Sequence, residues 1–230
     1  MQYHIQTATT QQQREAIYCF RYSIYMEEFN KLHIPADHQN KMLFDDADKY
    51  SKLYYAIADK NIVATIRGQR GAEGPFTNTD YNFFKFSEFE KYIGHHKMAI
   101  VNRLMVDKEY RRSTLAHEMM LATYLGGLEV GTRLCFITCD DKLLPLYLRY
   151  GFRIYTESFI LINGEKRNRL VLFLCDKKYL KKTNSPFLTH LPESLDDKGY
   201  YAQLVEEKVG FDLLDEIESS DSSSIIKNAS

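Results

Sequence analysis

Hydrophobic residues dominate the stretch Met98–Val106, and polar side chains interrupt it at Asn102 and Arg103. A continuous apolar run of this length is typical of a strand that is buried on both faces of a sheet. A charge inside such a strand is costly unless it is paired. We therefore expect Arg103 to face an anionic partner or a ligand.

After this strand the pattern changes to helical spacing. Asp107–Arg112 is a charged turn, and apolar positions then recur every three or four residues from Leu115 onward. Ser113 or Thr114 can cap the predicted helix, which we expect to end near Gly126. A basic turn leading into a helix N-terminus combines free N–H groups with positive charge, so it predicts an anion site.

The same two periodicities predict the other elements. Thr9 or Thr10 can cap a helix that continues to Phe29, and Asp141 can cap a short helix that ends at Gly151. Strands are predicted at Tyr3–Thr7, Leu53–Ala58, Ile62–Gln69, Leu134–Cys139, Arg153–Ile162 and Arg169–Cys175.

The composition changes beyond Pro186, which suggests three segments. Residues 1–182 are predicted to form one domain, and residues 183–217 an extension with a possible amphipathic helix at Tyr200–Ile217. Residues 218–230 are rich in serine and poor in apolar side chains, so we expect them to be disordered.

Composition narrows the functional classes. Hydrophobic residues make up 44% of the chain and charged residues 27%, with a formal net charge of −1. This balance is typical of a soluble globular protein and gives no reason to expect nucleic acid or an anionic membrane as a partner. No apolar run is long enough to span a bilayer, and the four cysteines read as reduced core thiols, so we expect a cytoplasmic protein without a metal site.

Two motifs resemble the core of the GNAT acyltransferase superfamily. The family's V-x-P-x-Y-R-G-x-G-x-G/A aligns without gaps from Val106 to Ala116, although Arg112 and Thr114 replace two of its glycines. The family's Tyr-x-x-x-Gly-Phe matches Tyr147 and the residues that follow it. The resemblance implies a mixed α/β (α+β) fold, with a central sheet of about seven strands, flanking helices and splayed central strands.

A narrower resemblance connects the chain with acyl-homoserine-lactone synthases and long-chain N-acyl amino acid synthases. Both families begin with an arginine-containing helix, carry a D-x-x-D pair before the next strand, and have arginines on two central strands. The matching residues are Arg21, Asp45, Asp48, Arg67 and Arg103. The family tryptophan is absent, and the family glutamate falls on Ile100.

The resemblance assigns roles to these positions. Arg21, Asp45, Asp48 and Arg67 would bind the acceptor, with the aspartates as an acidic wall for its ammonium group. Tyr147 would protonate the leaving thiolate, beside Arg103 and the backbone of Leu104. The residues predicted to bind the donor phosphate are Val106, Arg111, Arg112, Ser113, Thr114, Leu115 and Ala116.

The expected reaction is transfer of an acyl group from a thioester to the amine of a small molecule such as an amino acid. Because the phosphate loop has lost its glycines, we expect a long acyl chain on acyl-carrier-protein phosphopantetheine, with acyl-CoA as the other co-substrate and no tightly bound cofactor. The aromatic segment Tyr81–Tyr92 would either line the chain or form part of the core. The alternatives are an acetyl-CoA-dependent acetyltransferase and a non-catalytic acyl- or partner-binding module.

Overall fold

One mixed sheet organises the molecule. The computed structural model describes residues 2–161 and 163–214. Its strands are β1 (His4–Thr7), β2 (Ser51–Ala58), β3 (Asn61–Arg70), β4 (Met98–Val106), β5 (Leu134–Cys139), β6 (Arg153–Ile160) and β7 (Lys166–Phe173). They pair in the order β1-β2-β3-β4-β5-β7-β6, and every pair is antiparallel except β4 with β5. The predicted GNAT-like fold is confirmed.

Seven α-helices flank the described part of this sheet. They are α1 (Gln11–Tyr22), α2 (Asn78–Phe84), α3 (Phe86–Glu90), α4 (Leu115–Glu129), α5 (Leu144–Arg149), α6 (Lys177–Lys182) and α7 (Tyr200–Leu204). Residues of α4 and α5 pack on one face, together with Ile66, Ile137 and Leu172. Residues of α1 pack on the opposite face with β2, and α2 and α3 cover the part of that face formed by β5 and β7.

Local sequence explains the element boundaries. Thr10 caps α1 through a capping box in which Gln13 reciprocates. The β2–β3 turn puts Asp59 and Lys60 at positive φ, a conformation that two-residue hairpin turns favour. These elements lie where the sequence predicts them.

Several boundaries differ from prediction. After Tyr22 the first helix continues only as a π turn, Ser23–Glu28. Helix α4 passes Gly126 and ends at Glu129, because Gly126 serves close packing, not termination: a Cβ there would lie 2.2 Å from the Tyr54 hydroxyl. Asp140, not Asp141, accepts a hydrogen bond from the backbone N–H of Leu143 ahead of α5.

The two central strands separate along their length. Met98, Ala99 and Ile100 pair with Leu134, Cys135 and Phe136, and no later residues of β4 and β5 pair. Beyond Ile100 the strands splay, as predicted. The gap opens a passage between the two faces of the sheet.

The C-terminal extension packs against both faces. Phe187 and Leu191 are buried in the α4-side core, and Ala202 and Val205 are buried in the core on the opposite face. Leu214 exchanges two backbone hydrogen bonds with Ile154 at the edge of the sheet. The predicted helix over Tyr200–Ile217 is shorter, since α7 ends at Leu204 and a π turn follows to Val209. The predicted tail at 218–230 lies outside the described residues.

Two of the general expectations can be compared with the structure. Cys135, Cys139 and Cys175 are buried free thiols, whereas Cys19 is exposed, so the prediction of four core thiols is wrong at Cys19. No helix among the described residues is long and apolar enough to cross a bilayer.

Candidate active site

Five charged residues from distant parts of the chain meet beside the splayed strands. Arg67 Nη1 lies 2.5 Å from Asp45 Oδ1, and Arg103 Nη2 lies 2.8 Å from Asp45 Oδ2. Asp48 pairs with Arg67 at 3.3 Å and with Arg21 at 2.8 Å. We call these residues the charge cluster. The sequence-derived set is therefore brought together in one network.

The turn before β2 fixes the two carboxylates. Asp45 caps the 3₁₀ turn Asp46–Tyr50 by accepting from the backbone N–H of Ala47, and Asp48 accepts from the backbone N–H of Asp45. This reciprocal cap makes the D-x-x-D spacing a structural requirement of the turn. It also aims both carboxylates at β3 and β4.

Counting the five side chains gives the charge cluster three cations and two anions, so its formal charge is +1. Both carboxylates are already paired with arginines, which makes this a cationic site and not the acidic wall expected from the sequence. Burial raises the pKa of Asp45, but the guanidinium groups of Arg67 and Arg103 outweigh it and hold that pKa at about 2. Burial lowers the pKa of Arg67, and the carboxylates of Asp48 and Asp45 outweigh that effect and raise it.

The five members differ in access. Arg103 keeps 18% of its side chain exposed and lies over the ring of Tyr25, while Arg67 is buried but lines the same cavity. Arg21 is completely buried behind Asp48 and does not line the cavity. The expectation that Arg21 contacts the substrate therefore has no support in this geometry. Its position supports Asp48.

Arg103 also shapes the backbone of β4. Its φ is +57°, unusual for a residue with a side chain, and the register shifts so that Arg103 and Leu104 together oppose the single residue Ile66. This is a β-bulge, which takes the peptide groups of these residues out of the regular ladder. Backbone N–H groups freed in this way are suitable donors to a developing oxyanion.

A cavity of about 1040 Å³ passes through the gap between β4 and β5. On the face that carries α1 we call it the acceptor side, which is lined by Tyr25, Lys31, His33, Phe83, Arg67 and Arg103. On the α4 face we call it the inner chamber, which is lined by Gly68, Arg70, Thr123, Tyr124, Thr132 and Phe187.

The mouth of the acceptor side is bridged by side chains. Lys31 Nζ lies 3.7 Å from a Glu165 carboxylate oxygen, and Asn163 Nδ2 lies 3.2 Å from His33 Nε2. These contacts join the loop after α1 to the β6–β7 turn. An acceptor would enter past them.

Tyr147 lines the cavity on α5, with its ring edge-on to Phe152 at 5.6 Å between centroids. Burial raises the pKa of Tyr147 to about 12. The phenol is therefore protonated throughout the neutral range, as a proton donor must be. No hydrogen bond within the described residues occupies its hydroxyl.

Four of the seven predicted donor-phosphate residues, Arg111, Arg112, Ser113 and Thr114, line a separate small cavity of about 360 Å³. Val106, Leu115 and Ala116 do not line it. Arg112 has a φ of +72°, at a position where the family motif has glycine. Arg111 is already occupied: it donates to Glu28 at 2.5 and 2.8 Å and to the carbonyl oxygen of Val106 at 2.9 Å. Ser113 accepts from the N–H of Leu115, so Ser113 and not Thr114 provides the side-chain cap.

The aromatic segment Tyr81–Tyr92 divides between the two roles predicted for it. Only Phe83 and Phe84 of this segment line the cavity. Phe86 and Phe89 have no exposed surface and pack against Phe136 with centroids 4.9 Å apart. Most of these rings complete the core between α3 and the sheet. The core interpretation therefore holds for Phe86 and Phe89, and the cavity-lining interpretation is limited to Phe83 and Phe84.

Sequence reasoning missed the inner chamber. Gly68 lies in β3, and a Cβ added there would meet nothing closer than 3.9 Å, so a side chain could begin there without a clash. Arg70, at the end of the same strand, is only 2% exposed. Alternation along β3 was a usable signal, since Ile66, Gly68 and Arg70 share one face.

Comparison with known proteins agrees with this architecture. Residues 20–121 match the family model described as an acetyltransferase (GNAT) domain. A search of curated proteins found no match. Residues 20–121 thus resemble a GNAT domain, and the seven-stranded sheet around them has a GNAT-like fold.

Solved structures share the fold at low identity. One is BjaI, a CoA-dependent acyl-homoserine lactone synthase determined with SAM and isopentyl-CoA, at 14% identity and a TM-score of 0.61, covering 80% of this chain and 90% of that chain. Another is FeeM, an N-acyl amino acid synthase from uncultured soil microbes, at 12% identity and a TM-score of 0.58. The match covers 83% of this chain and 99% of that chain. A putative N-acetyltransferase from Lactobacillus plantarum has 15% identity and a TM-score of 0.55. This match covers 76% of this chain and 99% of that chain.

Proposed function

We propose that this protein is an N-acyltransferase that moves a long acyl chain from a phosphopantetheine thioester to the amine of a small carboxylate-bearing acceptor, such as an amino acid. The observation that carries the proposal is the cavity that connects the charge cluster with the inner chamber. Its volume of about 1040 Å³ lies at the upper end of the roughly 300–1,000 Å³ of small-molecule pockets. An acetyl group would leave most of it empty.

The two sides of the cavity suit the two substrates. The donor enters from the α4 N-terminus, its thioester carbonyl lies at the bulge near Leu104, and its chain extends into the inner chamber. The acceptor occupies the opposite side, where Arg103 offers the most accessible cation of the charge cluster. A carboxylate on the acceptor would balance the cluster's charge of +1.

The same charge favours the reactive form of the amine. A nearby cation disfavours ammonium relative to neutral amine, and only the neutral amine has the lone pair that attacks. The nitrogen forms a bond to the thioester carbon, and the bulge N–H groups stabilise the oxyanion. The carbon–sulfur bond then breaks and Tyr147 gives its proton to the leaving sulfur. Solvent takes the nitrogen's surplus proton and returns one to the Tyr147 phenolate.

Two features favour a carrier-protein donor over acetyl-CoA. Arg112 and Thr114 put side chains where a pyrophosphate cradle needs bare backbone, and the paired Arg111 leaves less charge available. Phosphopantetheine on a carrier protein brings one phosphodiester and needs no such cradle. Long-chain acyl-CoA is the second candidate donor, since Arg112 still brings positive charge.

Steady-state kinetics test the proposal with three donors: a long-chain acyl-carrier protein, the matching acyl-CoA, and acetyl-CoA, each with a panel of amino acids. We expect the highest kcat/KM with a long-chain donor and formation of an amide. A higher kcat/KM with acetyl-CoA would overturn the long-chain assignment. Acyl binding without turnover of any donor would favour a binding module.

A further inference from the structure

The inner chamber holds polar groups that an unsubstituted fatty chain would not require. Arg70 Nη1 pairs with Glu73 at 3.1 Å and Nη2 donates to the Tyr54 hydroxyl, but Nε has no hydrogen-bond partner among the described residues. Thr132 is 1% exposed, and its hydroxyl is likewise unpartnered within the described chain. Both residues line the cavity.

These two groups lie along one face of α4. A Cβ on Gly68 would lie 3.9 Å from both Arg70 Nε and the Thr123 methyl, and a Cβ on Gly127 would lie 3.8 Å from the Thr132 hydroxyl. Thr123 and Gly127 are four residues apart on α4, which makes them neighbours separated by about one helical turn. Arg70 and Thr132 therefore meet the chamber at adjacent positions.

Their depth separates them from the reacting bond. Arg70 pairs with Ala99, and its Nε lies beside Gly68, which pairs with Val101. This nitrogen is thus three to five residues of β4 from Leu104, roughly 10–16 Å at about 3.3 Å per residue. A group bound by Arg70 and Thr132 thus belongs to the distal part of an acyl chain whose carbonyl is at the bulge.

We propose that the inner chamber selects acyl chains that carry a neutral oxygen function, a hydroxyl or oxo group, near the end remote from the thioester. This rests on the proposed acyl-transfer function. The Glu73 carboxylate already balances the charge of Arg70, so the ligand needs to supply an acceptor oxygen and not a second anion. Arg70 Nε–H donates to that oxygen, and the Thr132 hydroxyl is a second partner.

The test compares donors that differ in one atom. The full chain is assayed with lauroyl and ω-hydroxylauroyl thioesters on the same carrier. One well-placed hydrogen bond predicts about a tenfold higher kcat/KM for the hydroxylated donor. An equal or lower kcat/KM for that donor would overturn the inference while leaving the long-chain function standing. If acetyl-CoA is the better substrate, the proposed function itself fails.

Two variants locate the effect. Thr132→Val removes an unpartnered hydroxyl at nearly constant volume, and we expect it to reduce the preference for the hydroxylated donor about threefold. Thr183→Val is the matched control, because that hydroxyl bonds backbone carbonyls of Tyr179 and Leu180 outside the cavity. An unchanged preference in Thr132→Val would contradict the assignment, as would an equal loss in Thr183→Val.

Discussion

The two ends of the cavity are built in opposite ways. The charge cluster is crowded: two carboxylates and three guanidinium groups form ion pairs of 3.3 Å or less. The inner chamber is defined by what is missing, above all the side chain of Gly68. Charged side chains that must pair with one another have to occur at particular positions in the sequence. A cavity, by contrast, produces no comparable sequence pattern. The first end is therefore the one that can be recognised before a structure is known.

The largest effect is expected from Arg103→Ala, which removes the accessible cation of the charge cluster. Removing one preorganised charged donor commonly costs about 10²- to 10³-fold in rate, and we expect a loss of that size in kcat/KM. Stability is expected to change little, since Arg67 still pairs with both aspartates. Kinetics and urea unfolding measure the two quantities.

Arg103→Lys is the matched control. It keeps the charge but loses the planar donor geometry, so we expect partial activity. Full activity in Arg103→Ala would remove this residue from the acceptor site.

Tyr147→Phe tests the group between the two ends. The ring can keep its edge-on packing on Phe152, while the proton donor is lost, and general acids typically contribute about 10²-fold or more. We expect kcat to fall by about that factor with KM for the donor nearly unchanged.

The pH dependence gives an independent check on Tyr147. Because its pKa is raised to about 12, its phenol does not ionise as pH rises through the alkaline range. Wild-type kcat is therefore expected to show no loss from phenol ionisation below that pH. A falling limb near the ordinary tyrosine pKa that disappears in Tyr147→Phe would contradict the assigned environment.

Gly68→Val tests the inner chamber, at the end of the cavity remote from the charge cluster. Valine suits a strand, and its methyl groups would enter the inner chamber because the added Cβ has free space. We expect kcat/KM for palmitoyl donors to fall about tenfold, equivalent to about 1.4 kcal/mol, and that for butyryl donors to be preserved.

Phe86→Ala is the counterpart on the opposite face, where the rings form a closed core. It is expected to lower stability by about 3–5 kcal/mol, a decrease in Tm on the order of 10 °C, without changing the order of preference among chain lengths. A changed chain-length order in this variant would restore the aromatic segment as an acyl wall.

The smallest effect concerns acid stability. The folded pKa of Asp45, about 2, is below the ordinary value of about 3.9, so its contribution is present above about pH 4 and is lost as pH falls towards 2. The stability difference between wild type and Asp45→Asn in urea unfolding is therefore expected to shrink across that window. A difference that grows on acidification would show that Asp45 is not held by Arg67 and Arg103.

The hydrophobic pattern predicted the strands, because alternation and capping are local signals, and the resemblance to known acyltransferases implied the splay and the members of the charge cluster. It did not reveal that Asp45 and Asp48 would be neutralised by arginines, since pairing depends on distances between β2, β3 and β4. The roles of Phe86 and Phe89 could not be assigned from the sequence for a related reason: aromatic content is the same in a tunnel wall and in a closed core.

The strand order has a consequence for synthesis. Strand β7 is inserted between β5 and β6, and Phe187, from beyond β7, stacks on Tyr124 with ring centroids 4.3 Å apart to complete the inner chamber. A ribosome-bound chain that has emerged only as far as β6 thus lacks both the strand between β5 and β6 and the ring that completes the inner chamber. Since domains fold as units while they leave the ribosome, we expect the inner chamber to close only after Phe187 has emerged.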